Sequence, residues 1–167
     1  MYPIMAYFAQ GVCRLLPATR FFSLKRKLWR YMGVDVGNNV KLCSSARAMT
    51  TGEIRIGSDT WVGHDFLIVG GKSSVSIGCK NDIAPRVTFA TGTHEILIGQ
   101  EKAAGSGYSL DIDIGDGCWI GAGATILGGT KIGKCSLVAA GAVVKGDFPE
   151  RCLIGGVPAK IIRQLKI

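Results

Sequence analysis

Aliphatic residues recur at a fixed interval along the second half of the chain. From Ile114 to Pro149 the sequence divides into six consecutive hexads, each of which begins with an aliphatic residue. The fifth position holds Cys, Ala, Thr, Ser and Ala in the first five hexads and Phe in the last. A period of six does not fit a helix of about 3.6 residues per turn, but it fits short strands separated by turns. The pattern predicts coils whose interior is lined by aliphatic and small side chains.

The same period is present upstream. It runs through residues 56–73 and 77–94, and it begins at residues 36–41. Three hexads make one triangular coil of about eighteen residues. A β-sandwich with coincidental spacing is the alternative interpretation, which the unbroken run of hexads disfavours. The sequence therefore predicts a single mainly β domain over residues 34–163.

One long segment interrupts the period of six. Residues 95–113 leave the hexad pattern directly after His94. Because insertions leave a stacked repeat as loops on one face, and long loops in compact domains are often functional, we expect a flexible wall over a binding site there. His94 occupies position six of its hexad, with Phe89 and Thr93 at interior positions one and five. Its side chain is therefore expected to point outward at the end of a coil.

Two helices are predicted before the coils, in an N-terminal segment of residues 1–33. The apolar run 4–16 stops at Pro17 and is too short to span a bilayer. The second helix is expected to be capped by Ser23 and closed by Gly33. Its apolar stripe comprises Leu24, Leu28 and Met32, and its cations lie elsewhere: Lys25, Arg26, Lys27 and Arg30.

Two interpretations of these helices stay open. Residues 1–32 could lie on a membrane interface, with the apolar face in the lipid and the cations on lipid phosphate. Alternatively, the helices cover the open end of the coils or pack against a neighbouring subunit, because an uncovered end of a stacked repeat is unfavourable.

Charge and cysteine usage narrow the setting. Twenty Lys and Arg against twelve acids give a net charge of +8, which favours an anionic partner. Nucleic acid is not expected, because no aromatic-interleaved basic strand or recognition-helix pattern is present. The six cysteines are spread singly without a C-x-x-C pair, and no secretory signal is recognisable. A reducing cytoplasm is therefore expected, with peripheral contact at the inner face of the membrane as the open alternative.

The hexads, together with "IAPRVTFATGTHE" and "GVPAKIIR", resemble the hexapeptide-repeat acyltransferases, in the sugar O-acetyltransferase branch. The resemblance covers about residues 34–163. It implies a left-handed parallel β-helix, although the left hand comes from the family alone because crossovers are ordinarily right-handed. We add a short helical tail at residues 164–167 to this expected fold. The family also implies a homotrimer with sites between subunits, acetyl-CoA as co-substrate and a carbohydrate hydroxyl as acceptor, in surface polysaccharide, lipopolysaccharide or glycolipid synthesis.

The resemblance also implies roles for individual residues. His94 corresponds to the general base that removes the acceptor proton, and Glu95 or a main-chain carbonyl would orient its ring. His64 and Asp65 correspond to acceptor contacts, with a solvent-exposed turn pair as the alternative. The residues that the resemblance implies for binding acetyl-CoA are Trp119, Ala122, Ala140, Lys145, Lys160 and Arg163.

These cofactor residues divide by chemistry. Small side chains at Ala122 and Ala140 would admit the pantetheine arm, and the Ala122 N–H would be an oxyanion donor. Trp119 would line the channel, or else serve as an ordinary structural plug. Lys160 and Arg163 would meet the phosphates, or else form a solvated basic tail.

Other functions fit parts of the pattern. N-acetylation of a nucleotide-linked amino sugar or a small-molecule amine stays open, because histidine serves amines and alcohols alike. Carbonic anhydrases of the same fold hold zinc with three histidines, whereas this chain has two and no cysteine cluster, so no metal is expected. A non-catalytic scaffold is disfavoured because both the base and the C-terminal cations are present.

Overall fold

The computed structural model describes residues 3–99 and 101–166. Two helices come first, α1 over Pro3–Leu15 and α2 over Phe22–Tyr31. The strands that follow are short and wind into a stack of coils, so the predicted parallel β-helix is confirmed. Within the described residues, no helix is long and apolar enough to cross a membrane.

The strands before the long insertion are β1 (Asp35–Val36), β2 (Lys41–Leu42), β3 (Arg47–Met49), β4 (Ile54–Ile56), β5 (Trp61–Val62), β6 (Leu67–Val69), β7 (Val75–Ile77), β8 (Asp82–Ile83) and β9 (Thr88–Ala90). The strands from the insertion onward are β10 (Gly92–Ile96), β11 (Ala104–Ser109), β12 (Ile112–Ile114), β13 (Trp119–Ile120), β14 (Thr125–Leu127), β15 (Thr130–Ile132), β16 (Leu137–Val138), β17 (Val143–Val144), β18 (Asp147–Phe148), β19 (Cys152–Gly156) and β20 (Ala159–Gln164).

Each complete coil contributes one strand to each of three sheets. The first sheet is β1-β4-β7-β12-β15-β18, the second is β2-β5-β8-β13-β16-β19-β20 and the third is β3-β6-β9-β14-β17. Strands of successive coils pair in parallel, so equivalent residues lie directly above one another. In the first sheet this stacks Ile56, Ile77, Ile114 and Ile132.

The interior confirms the hexad assignment between Ile114 and Val144. First-position side chains are at most 3% exposed: Ile114, Ile120, Ile126, Ile132, Val138 and Val144. Small fifth-position side chains are at most 2% exposed: Cys118, Ala124, Thr130, Ser136 and Ala142. Larger side chains fill the upstream coils, where the rings of Phe66 and Phe89 meet edge to face with centroids 5.2 Å apart. The narrow interior is therefore filled by one repeated pattern of burial, which favours the stack through the loss of apolar surface to water.

Two corners of the triangular coil differ in length. The corner between the second and third sheets, here called the stacked corner, has four residues in each coil: 43–46, 63–66, 84–87, 121–124 and 139–142. The corner between the third and first sheets, here called the insertion corner, ranges from two residues at 128–129 to twenty-one at 91–111. All large irregularities of the repeat therefore leave from one edge of the molecule.

The ends of α2 differ in part from the prediction. Phe21 occupies the N-terminal cap with a φ of 53° and makes no side-chain capping bond, so the predicted Ser23 cap is wrong. Gly33 closes the helix as predicted, because its φ is 91° and its N–H donates to the Arg30 carbonyl at 2.9 Å. Glycine suits this position because it adopts a left-handed conformation without steric conflict.

The buried face of α2 also differs from the predicted stripe. Lys25, Trp29 and Met32 are at most 1% exposed, whereas Leu24 is 40% exposed. Leu28 is half-buried against the core. The prediction that Lys25 lies among the outward cations is therefore wrong. Lys25 is buried, whereas the neighbouring Leu24, which the apolar stripe placed on the buried face, is exposed.

Lys25 is buried because its amine has acceptors there. Its Nζ donates to the carbonyls of Pro17 at 3.0 Å and Ala18 at 2.8 Å, in the link between the two helices. Ser44 of the first coil donates to the carbonyls of Leu16 at 2.9 Å and Pro17 at 3.0 Å. Burial lowers the pKa of Lys25. The polar groups that follow α1 are thereby satisfied, and the link is fastened to the β-helix.

α2 covers the open end of the first coil. Arg30 Nε donates to the Val36 carbonyl at 2.8 Å, and Arg26 donates to the Val40 carbonyl at 3.1 Å. Both acceptors belong to the first turn of the β-helix, which has no preceding coil to pair with. The interpretation that the helices cover this end is confirmed for α2.

α1 covers the free edge of the third sheet. Gln10 Nε2 donates to the Ala48 carbonyl at 3.0 Å, and the Ala48 N–H donates to Gln10 Oε1 at 3.1 Å. Ala6, Ala9 and Cys13 form the buried face of the helix. The edge strand β3 thus has part of its backbone satisfied by a side chain.

The predicted helical tail is wrong for its described residues, because Gln164 ends a strand and residues 165–166 form no helix, whereas Ile167 lies outside the described residues. β20 pairs antiparallel with β19, with Lys160 opposite Gly155 and Arg163 opposite Leu153. The outer edge of β19 offers unpaired N–H and C=O groups, and an extended return of the chain satisfies them. The β-helix pairing therefore extends through Gln164.

Candidate active site

A β-hairpin fills the longest insertion, so the expectation of a flexible wall is corrected. β10 and β11 pair antiparallel, with Gly92 opposite Ser109 and His94 opposite Gly107. The two strands satisfy each other's backbone hydrogen bonds, which gives the insertion a defined shape. His94 is presented from a paired strand rather than from an irregular loop.

The third coil closes earlier than the hexad count predicts. Thr91 is fully buried, whereas Thr93, which was placed in the interior, is half-buried within β10. The Leu110 N–H donates to the Thr91 carbonyl at 3.0 Å where the chain returns to the stack. Pairing with β11 draws Thr93 out of the coil, so the insertion begins before its predicted range of 95–113. His94 is consequently not the last residue of a coil, although it is exposed as expected.

The ring of His94 is oriented by the opposite strand of the hairpin. Its Nδ1 lies 3.0 Å from the carbonyl oxygen of Gly105. A carbonyl can only accept, so Nδ1 carries the proton in this contact, and in the neutral imidazole the lone pair lies on Nε2. Within the described residues, the Glu95 carboxylate makes no hydrogen bond with the ring. Of the two orienting groups considered from the sequence, the main-chain carbonyl is the one in contact.

A groove of about 460 Å³ opens beside His94. It is lined by residues 71–72, 92–94 and 107–109. A Cβ added to Gly107 would lie 3.4 Å from Cε1 of the His94 ring, so glycine leaves that face of the ring open. The arrangement presents an imidazole with a free nitrogen to a cleft at the insertion corner.

His64 and Asp65 lie at the stacked corner and do not line this groove. The His64 carbonyl accepts from the Arg86 N–H at 2.7 Å, and the Asp65 N–H donates to Ser45 Oγ at 2.8 Å. A single protomer therefore does not bring the predicted acceptor contacts to His94. Their role in acceptor binding stays a prediction.

Ala122 and Ala140 lie one above the other at the stacked corner. The Gly141 N–H donates to the Ala122 carbonyl at 2.9 Å, and a Cβ added to Gly121 would lie 2.6 Å from the Ala140 nitrogen. Within residues 3–99 and 101–166, the N–H groups of Ala122 and Ala140 donate to no acceptor. This corner presents small side chains and available backbone donors in consecutive coils.

The other predicted cofactor residues are on the surface. Trp119 lies on β13 and is 56% exposed, so it is not a plug in the interior of the coil. Lys145 follows β17 at the insertion corner, and Lys160 and Arg163 lie on β20. These three cations are exposed, and none of them forms an ion pair with another described residue. Cofactor binding by all four residues stays a prediction.

Sequence reasoning missed Lys72, which lines the groove beside His94. The upstream hexads place this residue at a fifth position, which is an interior position in a regular coil. A lysine there was a signal that the chain leaves the interior before residue 72. Among the described residues, no cluster of His, Cys, Asp or Glu is arranged to hold a metal ion.

The repeat has counterparts in known proteins. The family of bacterial transferase hexapeptide (six repeats) matches residues 111–146. Galactoside O-acetyltransferase of Escherichia coli K12 is 31% identical over 141 residues, which are 84% of this chain and 68% of that protein. The chain belongs to the hexapeptide-repeat acetyltransferases.

Other members of this hexapeptide-repeat family differ in length. A putative acetyltransferase of Saccharomyces cerevisiae is 39% identical over 112 residues, which are 67% of this chain and 56% of the yeast protein. A Schizosaccharomyces pombe relative, also a putative acetyltransferase, matches over 44% of its own length. The chain thus spans about half the length of these two relatives.

A solved hexapeptide-repeat acetyltransferase shares the fold over almost the whole chain. The structure from Vibrio cholerae, complexed with acetyl-CoA, aligns with a TM-score of 0.77 and 28% identity. The alignment covers 99% of this chain and 89% of that protein.

Proposed function

We propose that the protein transfers an acetyl group from acetyl-CoA to a carbohydrate hydroxyl, in the synthesis of a surface polysaccharide, lipopolysaccharide or glycolipid. The observation that carries this proposal is the contact between His94 Nδ1 and the Gly105 carbonyl at 3.0 Å. In the neutral imidazole this contact places the lone pair on Nε2, as a general base requires. The relatives support the reaction class, because one is a galactoside O-acetyltransferase and another was solved with acetyl-CoA.

The geometry supports direct transfer. The acceptor hydroxyl gives its proton to His94 Nε2 while its oxygen attacks the acetyl carbonyl. Negative charge then develops on the carbonyl oxygen, where the Ala122 N–H is a suitable donor. Collapse of this intermediate forms the ester and breaks the thioester, and the CoA thiolate takes up the proton that His94 held. No nucleophile for an acyl-enzyme is required in this sequence of steps.

The separation of the two corners supports a homotrimer with shared sites. His94 is presented from the insertion corner, whereas Ala122, Ala140, His64 and Asp65 lie at the stacked corner. A complete site in one protomer would need these two corners to meet, and they are different edges of the same triangular coil. Apposition of the insertion corner of one copy with the stacked corner of the next would unite the base with the acetyl group and the acceptor contacts.

Surface cations support binding of the nucleotide end of acetyl-CoA. Lys160 and Arg163 project from the terminal strand β20, and Lys145 follows β17, which lies against β20. Phosphates are multiply charged, and exposed cations without internal partners can pair with them on binding.

The outer face of α1 supports peripheral contact with a membrane. Ile4, Tyr7, Phe8 and Leu15 are 64–88% exposed, and Arg14 lies on the last turn. An apolar helix face next to a cation fits an anionic lipid surface. Flotation with anionic liposomes tests this contact, which Phe8→Ser should weaken; unchanged flotation would overturn it.

The catalytic proposal is tested by measuring thiol release from acetyl-CoA with a panel of sugars. His94→Ala should lower kcat by about a hundredfold or more, because general bases typically contribute factors of this size. Lys102→Ala, an exposed change in the loop between the hairpin strands, is the control for hairpin integrity. Full transfer by a folded His94→Ala protein would show that another group acts as the base.

A further inference from the structure

Lys72 is the one fixed cation among the residues that line the groove beside His94. The other described lining groups that can be ionised are His94 and Tyr108, and none of the described lining residues carries a carboxylate. Within the described residues, Lys72 forms no ion pair, and its side chain is exposed. A cleft with this lining attracts negative charge.

The backbone on both sides of Lys72 is held in place. The Gly71 carbonyl accepts from Thr50 Oγ1 at 2.6 Å. On the other side, the Ser74 N–H donates to Asp111 Oδ1 at 2.7 Å. The carboxylate of Asp111 is thus occupied with the backbone at the base of the hairpin. Lys72 extends from a segment that is anchored both to the coil before it and to the coil after it.

Glycines allow this segment to approach the hairpin. A Cβ on Gly71 would lie 2.8 Å from Ser109 Oγ of β11. A Cβ on Gly70 would overlap the Thr91 hydroxyl, and its φ of 146° suits glycine. The close approach places Lys72 and the hairpin strands on two sides of one groove. The position of the Lys72 backbone relative to the hairpin is therefore set by the fold.

We propose that Lys72 binds an anionic group of the acceptor, a carboxylate or a phosphate, while a nearby hydroxyl of the same sugar meets His94. The acceptor class would then be acidic carbohydrate. This inference rests on the proposed function and deepens it. An ion pair in the groove would be partly shielded from water by the bound sugar, which strengthens it relative to an open surface pair.

Kinetics with matched acceptors test the assignment. Methyl galactoside, methyl galacturonide and methyl galactoside 6-phosphate share one ring with free hydroxyls at C2, C3 and C4 and differ at C6, so they separate a neutral acceptor from a carboxylate and from a phosphate. We expect kcat/KM of the wild-type protein to be higher for at least one acidic sugar than for methyl galactoside, by about fivefold or more. The preference should decrease at high salt, because exposed charges are screened.

Variants of Lys72 distinguish a specific contact from general surface charge. Lys72→Ala should raise KM for the preferred acidic sugar by about fivefold and leave the neutral sugar within about twofold, while Lys72→Arg should retain the preference. Lys102→Ala removes one positive charge from the hairpin loop, outside the groove. This variant should also retain the preference for the acidic sugar. Retention of folding by each variant is checked by its thermal unfolding.

The outcomes separate this inference from the proposed function. If neutral sugars are acetylated in a His94-dependent way with no preference for acids, the Lys72 assignment is overturned and the proposed function stands. If an acid preference survives Lys72→Ala, another group provides it, and the assignment is equally overturned. If no sugar in a broad panel is acetylated, both are overturned.

Discussion

The stacked corner and the insertion corner differ in how much their lengths vary along the molecule. The stacked corner has four residues in each coil, whereas the insertion corner ranges from two to twenty-one residues. Constant length repeats one backbone geometry from coil to coil, and variable length lets individual side chains be placed apart from the repeat. In the proposed function the stacked corner carries the acetyl-CoA arm and the predicted acceptor contacts His64 and Asp65, whereas the insertion corner supplies His94 and the groove beside it.

The stacked corner itself changes along the molecule. From the second coil onward its third residue has positive φ: 55° at Asp65, 60° at Arg86, 69° at Gly123 and 71° at Gly141. The conformation is constant, but side chains are absent in the two downstream coils. A Cβ on Gly123 or Gly141 would meet no atom within 4 Å, so packing does not require glycine there. The open surface beside Ala122 fits the proposed path of the pantetheine arm.

The largest expected effect comes from mixing two inactive variants. His94→Ala damages the insertion corner, and Ala122→Phe obstructs the stacked corner. If sites form between protomers, co-expressed chains should recover about a quarter of wild-type sites, since half of the copies supply each intact corner. Transfer is measured on the mixed oligomers. A mixture as inactive as its parents would mean that the two corners do not meet between subunits.

A change at Gly141 should have an intermediate effect. Gly141→Asn keeps a residue that tolerates positive φ but adds a side chain over the proposed arm. We expect KM for acetyl-CoA to rise by about tenfold with little change in stability, because ligand contact would be lost without core disruption. Lys80→Asn is the matched control, since Lys80 is exposed with a φ of 56° at the corner between the first and second sheets. An unchanged KM at Gly141→Asn would place the arm elsewhere.

The smallest effect concerns the interior at the remaining corner, between the first and second sheets. Burial raises the pKa of Cys118 from 9.0 to about 11. The thiol therefore ionises at lower pH in the unfolded chain, so its contribution to stability is complete below pH 9 and is lost as the pH rises towards 11. Denaturant titrations should show a loss on the order of 1 kcal/mol over this window, and Cys118→Ala should reduce it. Identical alkaline slopes in both proteins would contradict this account.

The fold was predictable where one physical constraint repeats. Burial at positions one and five leaves a period of six in the sequence, which is why Ile114 through Val144 were assigned correctly. The strand β20 was not predictable in this way, because its pairing depends on the free edge of β19 rather than on its own pattern. Lys25 was misplaced for a similar reason: its burial depends on two carbonyls in a link that sequence patterning does not locate.

The site was predictable in part. His94 was proposed from its motif and its place near the break in the repeat, and its role stays a prediction; the pairing that orients it by Gly105 requires the hairpin register. Thr93 was assigned to the interior because the hexad count continues through it, and strand pairing overrides that count. Lys72 was visible only as a charge in an interior position. Such conflicts between a repeat and a residue type mark where the chain departs from the stack.

The side-chain amide of Gln10 takes the place that a peptide group of a preceding coil would occupy beside β3. Its oxygen and nitrogen meet the backbone of Ala48 as a neighbouring strand would. At the opposite end, β20 doubles back onto β19. Without such terminations, every stack of this kind would present open strand edges to another stack and could grow into a fibre. Segments of the same chain pair with strand edges at both ends of the stack, and this pairing opposes end-to-end association of one molecule with another.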